Sequence, residues 1–345
     1  MQTRFLTSPT VLVLSAALVV VALSSVIHAG QGAPAKAAAA NKTKAWTPPR
    51  TPDGQPDLQG MWTNATITPF ERPRELAGKA FLTEEEAAAL ERQAAERREN
   101  ADERPPRAGD VGNYNDFWFD SGTRVVSTRQ TSLVIDPPDG RVPLMTAAEK
   151  KRDFNLTNMD SFESMSPWDR CITRGPGRMF PAGYNNAYQI LQTPGYVVIL
   201  QEMIHEARII PLDGRPHVDK SVRMWTGDPR GHWDGNTLVV ETTNFNDKGW
   251  IATNGASARI RGVSHSDALR LVERFTRTDA ETISYEITVD DSKVFTSPWT
   301  VKIPLMRDDG YQMFEYACHE GNHAIGHILS GARAAERVAE TEKKK

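Results

Sequence analysis

Histidine and glutamate residues cluster near the end of the chain, where the sequence Cys-His-Glu-Gly-Asn-His contains the pattern H-E-x-x-H. Zinc hydrolases place this pattern on one face of a helix, so that two imidazoles bind the metal and the glutamate acts as a general base. Here His319 and His323 would be the zinc ligands and Glu320 the base. The intervening glycine and asparagine are poor residues for the middle of a helix. Zinc is therefore the alternative interpretation, and chemistry without a cofactor is the leading one.

Two further candidates for acid–base chemistry lie in the middle of the chain. His205 stands beside Glu206 at the end of a strongly apolar stretch, and a histidine next to a carboxylate is a common acid–base pair near neutral pH. Strand alternation places Glu273 on the same face as Leu271 and Phe275, which we expect to be an interior face. Each candidate has a structural alternative, a histidine satisfied by hydrogen bonds at a strand end and a glutamate paired with a buried arginine.

Polar side chains suited to orienting a ligand occur in the sequence Tyr184-Asn185-Asn186. Their amide and hydroxyl groups are the kind that fix a small molecule in a pocket, although the same three residues equally suit a turn. Glu241, which lies between Val239 and Thr243, is a fourth candidate for ligand binding. Its structural alternative is the same as that of Glu273, a glutamate paired with an arginine.

The elements that must position these residues are short strands. Apolar segments separated by turns containing Gly, Asp or Pro recur through residues 113–320, without helices between most of them. This spacing predicts nine or ten antiparallel strands, including a hairpin over Leu133–Leu144 and a final strand over Gln312–Cys318. An up-and-down β-barrel of the calycin or lipocalin type removes the exposed edges of such a sheet. A two-sheet β-sandwich is the alternative.

The other segments are expected to surround the barrel. Residues 30–112 contain a flexible leader, a proline-rich extended arm at 46–62 and a helix that opens with a capping box at Thr83. Residues 147–187 interrupt the strands with polar, Met-rich and Gly-rich sequence, and we interpret them as a lid or plug. Residues 321–345 are predicted to form a C-terminal helix and a charged tail.

The first residues predict export. Arg4 is followed by an apolar stretch and then by small residues, which is typical of a secretory signal peptide over residues 1–29, with an alternative end at residue 35. We therefore expect a bacterial periplasmic or secreted protein that has no membrane span after cleavage. In an oxidising compartment, Cys171 and Cys318 are expected to form a disulfide. The net charge of −3 and the absence of a basic cluster in the body of the chain indicate no nucleic-acid partner.

Five stretches of sequence together resemble a large family of exported bacterial proteins for which no reaction is established. They are Trp46–Gly60, Gly183–Ile190, Gly195–His205, Gly231–Phe245 and Glu315–Asn322. The resemblance covers nearly all of the chain after the signal peptide and implies export, but it implies no activity. It also implies a tyrosine where this sequence has His323, which would remove the second zinc ligand.

These observations lead to three hypotheses. The first is an exported barrel whose cavity binds a small lipophilic or aromatic molecule, with His205, Glu206, Glu273, His319 and Glu320 as candidate catalytic residues. If these residues share one cavity, isomerase, lyase or hydrolase chemistry without an organic cofactor is expected. The second hypothesis is a zinc-dependent hydrolase. The third is an envelope protein whose proline-rich arm binds a partner, without small-molecule chemistry.

Overall fold

The computed structural model describes residues 46–100, 119–158 and 160–344, so the predicted signal peptide and leader lie outside the described residues. The described chain is mainly β. Its ten strands are β1 (Gly60–Thr63), β2 (Val134–Asp136), β3 (Ala187–Thr193), β4 (Tyr196–Gln201), β5 (Glu206–Pro211), β6 (Asp228–Asp234), β7 (Thr237–Thr243), β8 (Arg270–Arg277), β9 (Thr282–Asp290) and β10 (Trp299–Arg307). Its α-helices are α1 (Glu84–Glu99), α2 (Thr146–Thr157) and α3 (Ala324–Lys343).

Nine of the strands form a nearly closed antiparallel barrel. Their order is β5-β4-β3-β1-β10-β9-β8-β7-β6, and β5 and β6 lie side by side at the two ends of this path without a ladder between them. β2 pairs with the part of β10 that β1 leaves free. The predicted calycin-like barrel is therefore confirmed, and the alternative β-sandwich is not the fold.

Side chains fill the interior of the barrel. In β9, Ile283, Tyr285, Ile287 and Val289 are buried and alternate with partly exposed residues, as expected for a strand with one face inside. Trp62 is also fully buried. Burial of such large apolar side chains is the main favourable contribution to the stability of the fold.

The end of the proline-rich arm is a strand that the sequence did not predict. Trp62 lies in β1, which pairs with Tyr188 of β3 on one side and Arg307 of β10 on the other. The indole Nε1 of Trp62 donates to the carbonyl oxygen of Leu58 at 3.0 Å. The arm thus closes a gap in the barrel with its own buried residues. The sequence did not predict this strand because it has only four residues and follows several prolines.

Two predicted strand features are wrong. Leu133–Leu144 does not form a hairpin, because Val134 pairs with Val301 of β10 and the backbone N–H of Val142 donates to Glu71 at 2.7 Å. Residues 312–318 are not a strand but an irregular segment across the end of the barrel. Its Phe314 N–H donates to the Glu202 carboxylate at 3.3 Å instead of to a neighbouring strand.

Residues 165–182 pack against the same end of the barrel. Phe180 contacts Phe70 and Trp299 with ring centroids 4.7 and 6.1 Å apart. Gly175 has φ +95°, and a Cβ there would lie 2.4 Å from the carbonyl oxygen of Trp250. The segment therefore passes too close to its neighbours for a larger residue at this position.

The predicted disulfide is confirmed. Cys171 and Cys318 are bonded, with their Cα atoms 5.7 Å apart. The bond joins the segment 165–182 to the segment 311–323, which connects β10 to α3.

The helices lie outside the barrel. Thr83 and Glu86 form the predicted capping box of α1. The C-terminal helix α3 has no buried residue, and Arg333 joins it to Asp160 at 2.8 Å. Among the helices of the described residues, none has the length and apolar character needed to cross a bilayer.

Candidate functional site

The H-E-x-x-H sequence does not lie on a helix. Helix α3 begins at Ala324, Gly321 has φ +67°, and His319 and Glu320 are exposed in the turn before the helix. His319 and His323 therefore do not share a helical face, which the zinc pattern requires. Among the described residues, no group of three or more His, Cys, Asp or Glu side chains is placed to hold a metal ion.

Glu273 lies inside the barrel and is bound by other side chains. Its Oε1 accepts hydrogen bonds from Arg208 Nη1 at 2.8 Å and from the Tyr285 hydroxyl at 3.0 Å, and its Oε2 accepts one from Arg208 Nη2. Arg208 also donates to the Thr242 hydroxyl at 2.7 Å. Burial, together with the negative charge of Glu273, raises the pKa of Tyr285 well above its ordinary value. The geometry is that of a buried ion pair whose charges compensate each other.

Glu206 is held in a similar way at the end of the barrel. It forms an ion pair with Arg178 at 2.9 Å and accepts a hydrogen bond from Thr173 at 3.0 Å. Arg178, Glu206, Arg208 and the buried Gln201 border a cavity of about 10 Å³. This is room for about one water, whereas sites for organic ligands measure hundreds of Å³. An organic ligand therefore has no room there.

His205 lies on a strained turn. It is exposed, and its Nδ1 is 2.8 Å from the carbonyl oxygen of Tyr316. Ile204 and His205 have φ values of +64° and +42°, in the left-handed region that β-branched residues rarely adopt. Such strain persists only where surrounding contacts hold it. Here they include the contact of His205 with Tyr316 and the packing of Ile204 with Ala182.

A large concave surface of the described chain lies at this end of the barrel, outside the strand ends. It is a cleft of about 1010 Å³, which suits a small organic ligand. Aromatic side chains dominate its lining, and carboxylates accompany them. The lining side chains with chemical function are Arg98, Phe119, Asp120, Trp168, Asp169, Tyr184, Asn185, Tyr311, Phe314, Glu315, Tyr316, Glu320 and Asn322.

Two of the segments that form walls of the cleft are joined by the disulfide. Trp168 lies on the wall that precedes Cys171, and Tyr316 lies on the wall that precedes Cys318. The Trp168 Nε1 donates to the Tyr316 hydroxyl at 3.3 Å. Because the second wall, residues 311–323, has no strand or helix of its own, these cross-connections fix the width of the cleft.

A buried carboxylate anchors the second wall to the barrel. Glu202 is 1% exposed and directly follows β4. It accepts hydrogen bonds from the Tyr311 hydroxyl at 2.9 Å, from the Phe314 N–H at 3.3 Å and from the Asn185 side-chain amide. Burial raises the pKa of Tyr311, and the hydrogen bond to Glu202 raises it further. Tyr311 therefore stays a neutral hydrogen-bond donor at neutral pH.

Two carboxyl groups in the cleft have raised pKa values. Burial raises the pKa of Asp120, and the negative charges of Glu202 and Asp308 add to this effect. Burial also raises the pKa of Asp169, against the opposing charge of Arg261. Perturbed carboxyl groups in a concave site are frequent at functional sites.

Asp120 and Tyr311 also border a smaller pocket next to the cleft. Its volume is about 80 Å³, and Thr63, Ala187 and Asp308 line its other sides. The cleft thus continues as a narrow recess towards β1 and β3.

Of the four predicted ligand-binding residues, two line the cleft and two do not. Tyr184 and Asn185 line the cleft. Asn186 is fully buried, and its side chain bonds the backbone of Asp120 and Ala182, which is the turn that the sequence offered as the alternative. Glu241 lies away from the cleft and pairs with Arg270 at 2.7 Å.

The five predicted catalytic residues do not share one cavity. Glu273 lies inside the barrel, Glu206 borders the cavity of about 10 Å³, and Glu320 lines the cleft. His205 and His319 are exposed and outside the lining of the cleft.

Sequence reasoning missed most of the cleft. Trp168, Asp169, Tyr311 and Phe314 lie in irregular segments, where no periodicity assigns a side chain to a face. The density of aromatic residues in Tyr-Gln-Met-Phe-Glu-Tyr, ending at Tyr316, was a usable signal. The same stretch also fits the strand predicted over residues 312–318, which the structure does not form.

Comparison with known proteins adds no relative. No family model, curated protein or solved structure matches the chain. The function must therefore be argued from the cleft itself.

Proposed function

We propose that this protein is exported and binds a small aromatic or lipophilic molecule in the cleft that Trp168, Phe314 and Tyr316 help to line. The observation that carries the proposal is the cleft of about 1010 Å³ with six aromatic side chains in its lining. Aromatic rings offer large contact areas with few rotatable bonds, and they dominate the energetics of ligand recognition. Phe314 is 67% exposed, an arrangement that costs hydrophobic stabilisation unless a ligand covers the ring.

Binding rather than turnover is the proposed activity. Of the five residues expected to carry acid–base chemistry, Glu320 alone lines the cleft, so the set has no common site there. The disulfide and the Glu202 contacts hold both walls in place before a ligand arrives, which reduces the ordering cost of binding.

The alternative of a partner-binding arm has less support. Two large apolar residues in the second half of the arm, Leu58 and Trp62, are fully buried in the barrel. Trp46 at its start is 42% exposed and remains accessible.

A thermal-shift and calorimetric screen of small aromatic compounds tests the proposal. A ligand at about 100 times its Kd stabilises the folded protein by about 2.7 kcal/mol. Phe314→Ala removes an exposed ring and should leave the fold intact while weakening binding by about tenfold. Trp46→Ala, an exposed aromatic outside the cleft, is the matched control and should bind as the unaltered protein does. Equal loss in both variants, or in neither, would contradict the proposal.

A further inference from the structure

The charge of the cleft is strongly unbalanced. Among the described residues that line it, four side chains are carboxylates, Asp120, Asp169, Glu315 and Glu320, and one is a guanidinium, Arg98. Arg98 Nη2 already donates to the carbonyl oxygen of Phe119 at 3.1 Å. A concave site with charge of mainly one sign concentrates molecules of the opposite sign.

Four of the aromatic rings in the cleft form two pairs. Trp168 and Tyr184 have centroids 6.1 Å apart and are tilted by 47°, and Tyr311 and Phe314 have centroids 6.0 Å apart and meet edge to face. All four rings lie in the lining of the cleft, and an aromatic face that reaches the cleft is electron-rich. Such faces attract cations, with Trp the strongest of the three aromatic residue types.

Among the described residues, the recorded cation–π contacts lie on other rings. Arg170 stacks on Phe162 and Trp225, while Arg277 and Arg307 stack on Trp62. Within the ranges that the structure describes, no arginine or lysine stands over Trp168, Tyr311, Phe314 or Tyr316. The parts of these four rings that line the cleft can contact a cation from outside.

We infer that the occupant of the cleft is a small organic cation, an aromatic or lipophilic amine or quaternary ammonium compound. Its charge would lie beside the carboxylates of Asp120 and Asp169, and its apolar body would pack on the rings of Trp168 and Phe314. This inference rests on the proposed function and adds the charge of the ligand to it.

The environment of the two aspartates agrees with this assignment. Burial raises the pKa of each, so each carboxylate lacks the solvation that it would have in water. The charged groups that face Asp120 are Arg98, Glu202 and Asp308, and Arg261 faces Asp169. A cationic ligand would supply the favourable interaction that partial burial removes, and its affinity would fall as these carboxyl groups become protonated at low pH.

The test compares three probes that share a phenethyl group and differ in charge, measured by isothermal titration calorimetry on the purified protein. They are phenethyltrimethylammonium, its neutral carbon isostere 3,3-dimethylbutylbenzene, and the anion 3-phenylpropanoate. The cation should bind at least about tenfold more tightly than the neutral isostere, because both charge attraction and cation–π contacts act on it alone. Tighter binding of the neutral or the anionic probe would overturn the inference.

Amino-acid variants distinguish the effect of the carboxylate charges from the effect of the cleft as a whole. Asp169→Asn should reduce the preference for the cation over the neutral probe to about threefold or less. Asp120→Asn is the second variant, and Asp234→Asn, in β6 outside the cleft, is the matched control. Suppose that the neutral or the anionic probe binds most tightly and that Phe314→Ala weakens its binding. The proposed function then stands, and the inference about the charge of the ligand fails. If no probe binds, both fail.

Discussion

The hydroxyl of Tyr311 donates a hydrogen bond of 2.9 Å to the carboxylate of Glu202, across 109 residues of sequence. This contact attaches an irregular segment to the end of β4. Because Phe314 and Asn185 donate to the same carboxylate, one buried side chain holds both Tyr311 and Asn185, which line the cleft.

Glu202→Gln should loosen this wall. A glutamine brings two donors to a position where three donors already converge, so at least one buried group would lose its partner at a cost of about 1–3 kcal/mol. Hydrogen-exchange mass spectrometry should show faster exchange in residues 311–316, with the strands of the barrel unchanged. Glu281→Gln, in the exposed turn between β8 and β9, is the control. Unchanged exchange in residues 311–316 would contradict the anchoring role.

Removal of the disulfide should affect the cleft more than the barrel. The bond between Cys171 and Cys318 joins the two walls, while the ladders of the barrel include neither cysteine. A Cys171→Ser, Cys318→Ser variant should lose about 2–5 kcal/mol of unfolding free energy and weaken ligand binding by tenfold or more. Far-UV circular dichroism at 25 °C should retain the strand signal. Full binding after reduction would show that the walls do not need the bond.

Asp169→Asn should raise the stability of the protein at neutral pH. Burial raises the pKa of Asp169 above its ordinary value of 3.8, so the folded protein binds this proton more tightly than the unfolded chain does. Stability from this group is therefore present at low pH and is lost as pH rises from 3.8 through the raised folded value. Asparagine does not titrate, so the variant avoids this loss of stability at neutral pH. Its Tm should exceed that of the unaltered protein at neutral pH, and the difference should disappear in acid.

The same variant should weaken binding of the cationic probe. A residue whose charge lowers stability but supports binding fits a functional role. A lower Tm at neutral pH would indicate that Asp169 has a structural role instead.

Glu273→Ala tests the assignment of the interior ion pair to structure. The substitution leaves the Arg208 guanidinium buried without its carboxylate, which should cost about 3–5 kcal/mol in chemical denaturation. Glu286→Ala, which breaks a surface pair with Lys302, should cost about 0–1 kcal/mol. The folded fraction of Glu273→Ala should bind the cationic probe normally. Loss of binding with unchanged stability would return Glu273 to the functional site.

The sequence carried enough information for the barrel. Alternation along β8 and β9 assigned Glu273 and its neighbours to the interior, because a strand with one buried face repeats every two residues. Two cysteines in a chain predicted to be exported were enough to predict their bond.

The cleft was less accessible to sequence reasoning. Trp168 and Tyr311 lie in segments without a repeating pattern, and remote contacts such as Trp168–Tyr316 and Glu202–Tyr311 fix their positions. Strand β1 was missed for a related reason, since its four residues pair only with distant strands. Local propensity does not encode such contacts.

A crystal structure of the protein with phenethyltrimethylammonium tests the central claim most directly. The account predicts the probe in the cleft, with its trimethylammonium group beside Asp120 or Asp169 and its phenyl ring against Trp168 or Phe314. A probe bound inside the barrel near Gln201 and Glu273, or bound elsewhere with the cleft empty at saturating concentration, would contradict it.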